Sequence, residues 1–453
     1  MKRISELLII LFLCLPPLFG QEPSARRLTI EGAVQLAMEL NSDLKAARLD
    51  VDRADARVKE AWGYAMPSVS LSGTYTRALK KPVFYLPSDF ANPAAGVRPI
   101  EIGSNHSVSA ALSAQQILFN GTVFAGVGAA GIYSDAARDL YRSKQLETVT
   151  TVKRAFYGAL LSREARDLMR SSLENAERNL RNVQLLRSQG ILSEFDELRA
   201  TVSVDNLRPA VIQAETGFEL SLEGLKTTVG LDAEDSVELI GTMEFVALDD
   251  SLIGRAHELV LERNPGYAGL RKQIEVNEAF VLAEKANYLP TISAFGNYQY
   301  QSQKNTLDMS TADFIASSQG GLQFSLNVFQ GLQTNARVEQ AQVDVQKSQE
   351  QLLNTERNLK TGMTSIIGTL RAARKRIEAQ ERTVEQATRS HEIVTTRFLN
   401  GAATQLDVND AQLALTQAKV NRIQALYDYL VASAEFDQVL GRLPAYVINT
   451  DRD

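Results

Sequence analysis

Cysteine is almost absent. The only one, Cys14, sits in the first twenty residues, inside Leu7-Leu-Ile-Ile-Leu-Phe-Leu-Cys-Leu. Lys2 and Arg3 precede this short apolar run, and Pro16, Pro17 and Gly20 follow it. A basic start, an apolar stretch and a small residue at a plausible cut predict an export signal over 1–20. Leu13 stands where a lipoprotein signal wants a small residue, so no lipid anchor is predicted. The exported chain then has no disulfide and must be held by packing and assembly. Histidine is scarce too. His106, His257 and His391 are too scattered for a metal centre, and Leu261 stands where the second His of H-E-x-x-H would fall. There is no phosphate-binding P-loop, so the chain cannot power transport itself. No stretch beyond the signal is apolar for about 18 residues, which excludes a helical membrane span. A net charge of −6 and a pI near 5.5 argue against nucleic acid as a partner.

Proline is missing from Leu332 to Leu440. Leu352, Leu359 and Ile366 recur at sevens, and the pattern predicts one helix from Leu332 to about Leu399. At about 1.5 Å per residue it is on the order of 100 Å long. Asn400-Gly401-Ala402-Ala403 breaks it, and helix resumes from Leu406 to Leu440 as the second arm of a hairpin. Gly121 to Gly230 has the same plan, broken at Gln189-Gly190-Ile191, with Pro209 predicting a kink in its second arm. Gly190 and Gly401 are 211 positions apart, as are Gly230 and Gly441. Shorter helices match at an offset of 223: Thr29–Tyr64, broken at Asn41-Ser42, with Leu252–Glu262 and Pro265–Tyr288. Arg48 pairs with Arg271, and Asn41 with Asn264. The chain is therefore read as an internal duplication: 1–20 signal, 21–243 first repeat, 244–453 second repeat.

Between the helices the period falls to two. Val69, Leu71, Gly73 and Tyr75 alternate with Ser68, Ser70, Ser72 and Thr74; Val108 to Ala114 alternate likewise. In the second half Ile292, Ala294, Gly296, Tyr298 and Tyr300 alternate with polar residues, Phe295 being off pattern. Leu322, Phe324, Leu326 and Val328 form the fourth run. Lys80–Asn105 and Gln301–Ala316 are read as the connecting loops, and Asp232–Asp250 as a small side feature joining the halves. Each run is about as long as a tilted membrane-spanning strand, with one apolar and one uncharged polar face. The aromatic Tyr75, Phe84, Tyr85, Tyr298 and Tyr300 suit either an interface belt or ordinary β propensity. Four strands cannot close a membrane barrel, and an open sheet leaves edge groups unpaired in lipid. Other copies must close it. Eight strands from two copies give a barrel filled by its own side chains, whereas twelve from three leave a passage.

These features resemble the TolC-like outer-membrane efflux and secretion channels of Gram-negative bacteria. The likeness rests on the duplicated plan, Asn264-Pro265, Leu289-Pro-Thr-Ile-Ser293, Phe119-Asn-Gly121 and Phe329-Gln-Gly331. It rests also on Phe398-Leu-Asn-Gly401 and Gln405-Leu-Asp-Val-Asn-Asp-Ala-Gln412. The resemblance implies a mainly α fold with a membrane β-barrel: a homotrimer whose 12-stranded barrel lies in outer-membrane lipid and continues as a long α-helical periplasmic tunnel. It implies a passive exit duct of a tripartite efflux or type I secretion system, without catalysis or cofactor. A periplasmic adaptor and an inner-membrane pump are the implied partners.

The tips carry the candidate residues. Asp407 and Asp410 lie three apart on one helix face, and in three copies would supply six carboxylates. The resemblance places two aspartate rings at a closed periplasmic constriction, matching these two. Such rings prefer cations, and crowding should raise some of their pKa values. Glu194 and Asp196 hold the equivalent place after Gly190. Thr404-x-x-Asp407 and Ser193-x-x-Asp196 also fit a helix capping signature, so for Asp407 and Asp196 both readings stand. Some family members have tyrosine at Phe398 and arginine at Ala403, so closure here would rely on packing of Phe398 and on the aspartates. The stretches Leu185–Leu198 and Arg397–Asn409 resemble adaptor-docking grooves, with Gly190, Ile191, Leu192, Gly401, Ala402 and Leu406 as candidate contacts. Packing within the trimer is the alternative for Leu186, Ile191, Leu192 and Leu406. Gly126-Val-Gly128-Ala-Ala-Gly131 fits G-x-G-x-x-G, but no parallel strand follows, so small-residue packing is preferred to a dinucleotide site. A trimeric coiled-coil surface protein that transports nothing is the alternative; an enzyme is a weaker third. The uncharged Ser/Gln strand face separates the first two, because a stalk has no need of four spanning strands in two duplicated pairs; membrane fractionation with crosslinking tests both, a membrane-bound trimer being expected and a soluble monomer removing both.

Overall fold

The computed structural model describes residues 26–86 and 98–448. The export signal expected over 1–20, with Cys14, lies outside the described residues. The elements in order are β1 (Arg26–Leu28), α1 (Ile30–Leu40), α2 (Ser42–Gly63), β2 (Ser68–Arg77), β3 (Val83–Leu86), β4 (Arg98–Glu101), β5 (His106–Phe119), α3 (Gly121–Ser188) and α4 (Glu194–Val229). Then follow β6 (Val237–Leu239), α5 (Asp250–Arg263), α6 (Pro265–Lys285), β7 (Thr291–Lys304), β8 (Ile315–Ser325), α7 (Gln333–Leu399), α8 (Gln405–Val439) and α9 (Ala445–Ile448). The chain forms two compact units, each assembled from both halves of the sequence. Of the described residues, one comprises 26–48, 141–265 and 356–448, the other 49–86, 98–140 and 266–355.

The second unit holds a four-stranded antiparallel sheet in the order β2-β5-β7-β8. Residues opposite one another share a face. Leu71, Leu112, Tyr298 and Ser318 form one row, and Val69, Ala114, Gly296 and Gly320 another. Ser70, Ser113, Asn297 and Gln319 form a row on the opposite face, where Ser113 Oγ donates to Asn297 Oδ1 at 3.3 Å. The alternation along each strand thus becomes one apolar and one polar surface. Phe295 lies on the polar face opposite Gly321, and a Cβ on Gly321 would sit 3.3 Å from its ring. The aromatic ring covers a glycine, which explains its break in pattern. Every residue of the two outer strands, β2 and β8, is exposed.

Four sequence expectations are corrected. The fourth strand is Ile315–Ser325, not Leu322–Val328: β7 begins at Thr291, which pairs Ser325, so Leu326 and Val328 have no partner strand. Gly320 and Gly321, which precede the expected run, lie inside it. The Lys80–Asn105 connection contains an antiparallel ribbon, β3 with β4. The helix expected from Leu332 begins at Gln333, because Leu332 takes a left-handed φ of 64°. The linker expected to be a side feature supplies β6, which pairs in parallel with the unforeseen β1. Gly126, Gly128 and Gly131 are ordinary turns of α3, and Pro209 lies within the continuous α4.

The first unit is helical. Its core gathers Val152, Phe156 and Leu160 of α3, Leu225 and Val229 of α4, Met363 and Leu370 of α7, and Leu426 and Phe436 of α8. Val34 of α1 and Val260 of α5 join them. The matched landmarks meet at its edge. Asn41 Nδ2 donates to Thr228 O at 2.9 Å, and Asn264 Nδ2 to Val439 O at 2.9 Å. Gly230, with φ 92°, presses so closely on the end of α1 that a Cβ would lie 2.8 Å from Leu40 O. Gly441, with φ 74°, meets Arg263 of α5 in the same way. In both halves a short helix ends against the close of a long one, and only glycine fits. Gly441→Ala should cost at least about 1 kcal/mol, from the left-handed backbone alone. It should lower the melting temperature more than Gly401→Ala, where a Cβ meets open space. Equal melting temperatures would refute this packing.

Candidate functional site

The two hairpin tips of the helical unit are built alike. α3 closes with Ile191 N bonded to Leu186 O at 3.0 Å and Gly190 at φ 76°. α7 closes with Ala402 N bonded to Arg397 O at 2.8 Å and Gly401 at φ 74°. Each is the left-handed glycine stop that satisfies a helix's last carbonyls. The second arm of each then starts on a capping box. Ser193 Oγ and N donate to Asp196 Oδ2 at 2.6 and 3.1 Å, and Asp196 N returns to Ser193 Oγ at 3.3 Å. Thr404 Oγ1 and N donate to Asp407 Oδ2 at 2.6 and 2.7 Å, and Asp407 N returns to Thr404 Oγ1 at 3.2 Å.

These bonds favour the ionised carboxylates. The Thr404 hydroxyl, then its backbone N–H, hold Asp407 below the ordinary aspartate range. Ser193 does the same for Asp196. Within one chain the direction is downward, where crowding among copies would raise it. Capping therefore accounts for both residues structurally, while Asp410, one turn further along α8, is exposed and belongs to no cap.

Four helices meet behind the tips. Val183 of α3, Ala200 of α4, Phe398 of α7 and Val408 of α8 form a small core of their own, with Leu192 and Ala403 packed against it. Phe398 is only 6% exposed, so its ring joins the two hairpins of one chain. Ile191 and Leu406 are exposed, at 64% and 43%, as are Gly190, Gly401 and Ala402. The six candidate docking residues thus divide: five face outward and Leu192 is half-buried. Against this core lies an open groove of about 580 Å³, lined among others by Asn179, Asn206, His391, Phe398, Asp410 and Gln412.

Sequence reading missed an ion pair at the first tip. Arg187 bonds Glu197 across the Gly190 turn and stands 4.0 Å from Glu194. The Arg187 bond draws Glu197 below the usual carboxylate range. The signal was present in the basic end of α3 facing the acidic first turn of α4, but pairing it requires the turn geometry. Among the described residues no group of three His, Cys, Asp or Glu could hold a metal.

The outer membrane efflux protein family matches residues 33–231 and 257–442. The outer membrane protein TolC of Salmonella enteritidis is 21% identical over 418 residues, covering 90% of this chain and 81% of that protein. The alkaline protease secretion protein AprF of Pseudomonas aeruginosa is 24% identical, over 71% of this chain and 67% of its own length. The crystal structure of the outer membrane protein VceC from Vibrio cholerae superposes with a TM-score of 0.73. It is 16% identical and covers 91% of this chain and 96% of that one. The fold is therefore that of an outer-membrane channel subunit.

The caps predict a pH dependence. A carboxylate with a lowered folded-state pKa stabilises above its unfolded value, and the contribution disappears as pH falls through the folded one. After correction for intrinsic rates, the Asp196 and Asp407 amides should exchange faster below the ordinary aspartate range. Thr404→Ala should speed exchange at Asp407 at neutral pH. Unchanged protection in both cases would contradict the capping role.

Proposed function

The chain belongs to the outer membrane efflux protein family, and on that premise we propose that three copies form a passive exit duct through the outer membrane, gated at the periplasmic helical tips. One observation carries this reading: a sheet with one apolar and one polar face whose outer strands, β2 and β8, have no strand beyond them among the described residues. In lipid those edges must be paired, and a neighbour's strand is the only donor that keeps the faces continuous. Three copies give twelve strands, wide enough for a wet lumen lined by Ser70, Ser113, Asn297 and Gln319. Leu71, Leu112, Tyr298 and Leu322 then face lipid.

Residues 1–20 direct export on this reading, and 21–243 and 244–453 are two copies of one plan. The duct serves a tripartite efflux or type I secretion system. Energy comes from an inner-membrane pump, because the sequence has no P-loop. A periplasmic adaptor couples the two, docking at the exposed tip residues Ile191 and Leu406 beside Gly190, Gly401 and Ala402. Asp407 and Asp410, from three copies, ring the lumen at the tip. Asp407 serves as cap and ring member at once, since a capping carboxylate keeps its charge. Phe398 acts at one remove by fixing the two hairpins to each other. Asp196 caps the outer arm.

Single-channel recording in planar bilayers tests the gate. Asp407→Ala/Asp410→Ala should raise conductance and relieve block by divalent cations applied from the tip side. Unchanged conductance and unchanged block would remove the aspartates from the gate.

A further inference from the structure

The four long helices of the helical unit are tied in one order. Arg170 of α3 donates to Glu215 of α4 at 2.8 Å. Thr150 Oγ1 of α3 donates to Ala434 O of α8 at 3.3 Å, and Ser172 Oγ of α3 lies 3.2 Å from Thr416 Oγ1 of α8. Arg376 of α7 stands 3.1 Å from Asp428 of α8. The bonded order is α4–α3–α8–α7, which makes α4 and α7 the outer members. Each buries one face: Ala200, Val204 and Val211 on α4, and Leu370, Ala373 and Ile377 on α7.

The opposite face of each is open. On α7, steps of three and four from Arg371 through Ala379, Gln386 and Ile393 to Arg397 trace one stripe, exposed throughout. Its bases are Arg371, Lys375, Arg382, Arg389 and Arg397, and it has no acid. The acids of this span, Glu378, Glu381, Glu385 and Glu392, lie off the stripe. On α4 the same steps run from Phe195 through Val202, Pro209 and Thr216 to Glu223, again exposed throughout. This stripe carries Asp205, Glu219 and Glu223 and no base. Its apolar members Phe195, Leu198, Val202 and Ile212 are 56–63% exposed. A helix apolar on two opposite faces needs a partner for each. Among the described residues no ion pair engages Arg371, Lys375, Arg382 or Glu219.

The tip glycines set the level of each residue. Ser172 stands 18 positions before Gly190, and its partner Thr416 15 after Gly401, so levels in the two hairpins agree to about one turn. Measured from the glycines, the two stripes match. Ile393 lies 8 positions before Gly401, and Leu198 8 after Gly190. Arg389 and Arg382, 12 and 19 before, bracket Asp205, 15 after. Ala379, 22 before, offers a small residue level with Ile212, 22 after. Arg371, 30 before, is level with Glu219, 29 after.

We propose that α7 of one copy packs antiparallel along α4 of the neighbouring copy, with Gly401 of one level with Gly190 of the other. The basic stems lie across the apolar residues of α4 while their heads reach its acids. Exposed pairs of this kind are individually weak, but their pattern fixes partner and register. Within one chain α3 and α8 stand between the two stripes, so the occupant that matches each in sign and spacing is a second copy. The inference rests on three copies forming the duct, and it names the seam between them.

Cysteine pairs in the full-length protein, oxidised in native outer membranes, test the seam. No cysteine beyond residue 20 competes. Ile393→Cys is combined in turn with Phe195→Cys, Leu198→Cys, Val202→Cys or Ile212→Cys. Leu198→Cys should give the highest yield of linked species, up to three chains, and Ile212→Cys about tenfold less. In the Ile393→Cys/Leu198→Cys protein, Glu219→Lys should lower the yield about threefold, and Arg371→Glu added to it should restore the yield. Mass photometry of the detergent-extracted wild type counts copies independently. Three copies without an inter-chain disulfide between the introduced cysteines would overturn the seam and leave the channel reading standing; a single copy would overturn both. Disulfides confined to single chains, equal yields at positions 198 and 212, or no restoration by Arg371→Glu would each overturn the proposal.

Discussion

An unpaired strand edge cannot rest in hydrocarbon. Each exposed N–H and C=O there costs several kcal/mol, and β2 and β8 each present a full row. The apolar surface of Leu71, Leu112, Tyr298 and Leu322 needs lipid, and the polar surface behind it needs water. A four-stranded piece satisfies neither requirement alone. Assembly into a closed wall meets all three demands together, and a lumen follows from the geometry without a residue dedicated to making it.

The helical unit solves a different problem. Its hairpins must end in water, so each last carbonyl and first amide finds a partner in the turn itself. Gly190 and Gly401 stop one helix, and Ser193–Asp196 and Thr404–Asp407 start the next. Each tip is self-sufficient at its end, and the two are joined mainly through the small core around Phe398. Such a construction leaves tip position adjustable without unravelling helices, since each turn and cap is complete within its own hairpin.

Most of this architecture could be read from the chain. Heptad spacing and the absence of proline marked α7 and α8, period-two alternation marked the strands, and the matched glycines marked the tips. The misses have physical causes. The start of β8 escapes the period-two pattern because Gly320 and Gly321 carry no side chain to alternate, and the ring of Phe295 covers Gly321. The parallel pairing of β1 with β6 joins segments some two hundred positions apart, and three-residue strands have no period to detect. The roles of Asp196 and Asp407 were visible as a choice between cap and ring; hydrogen-bond distances establish the cap. Phe398 gave no local sign of burial, since its neighbours come from three other helices. The Arg187–Glu197 pair needed the turn between them.

A closed wall requires β8 of one copy to pair with β2 of its neighbour. The sequence beyond residue 20 has no cysteine, so introduced pairs report cleanly. Ser70→Cys combined in turn with a cysteine at each position from Gln319 to Gln323, oxidised in native outer membranes, tests it directly. A covalent ladder that stops at three chains for the in-register pairs is the expected result. A disulfide formed only within single chains, or no species larger than one chain at any position, would contradict it.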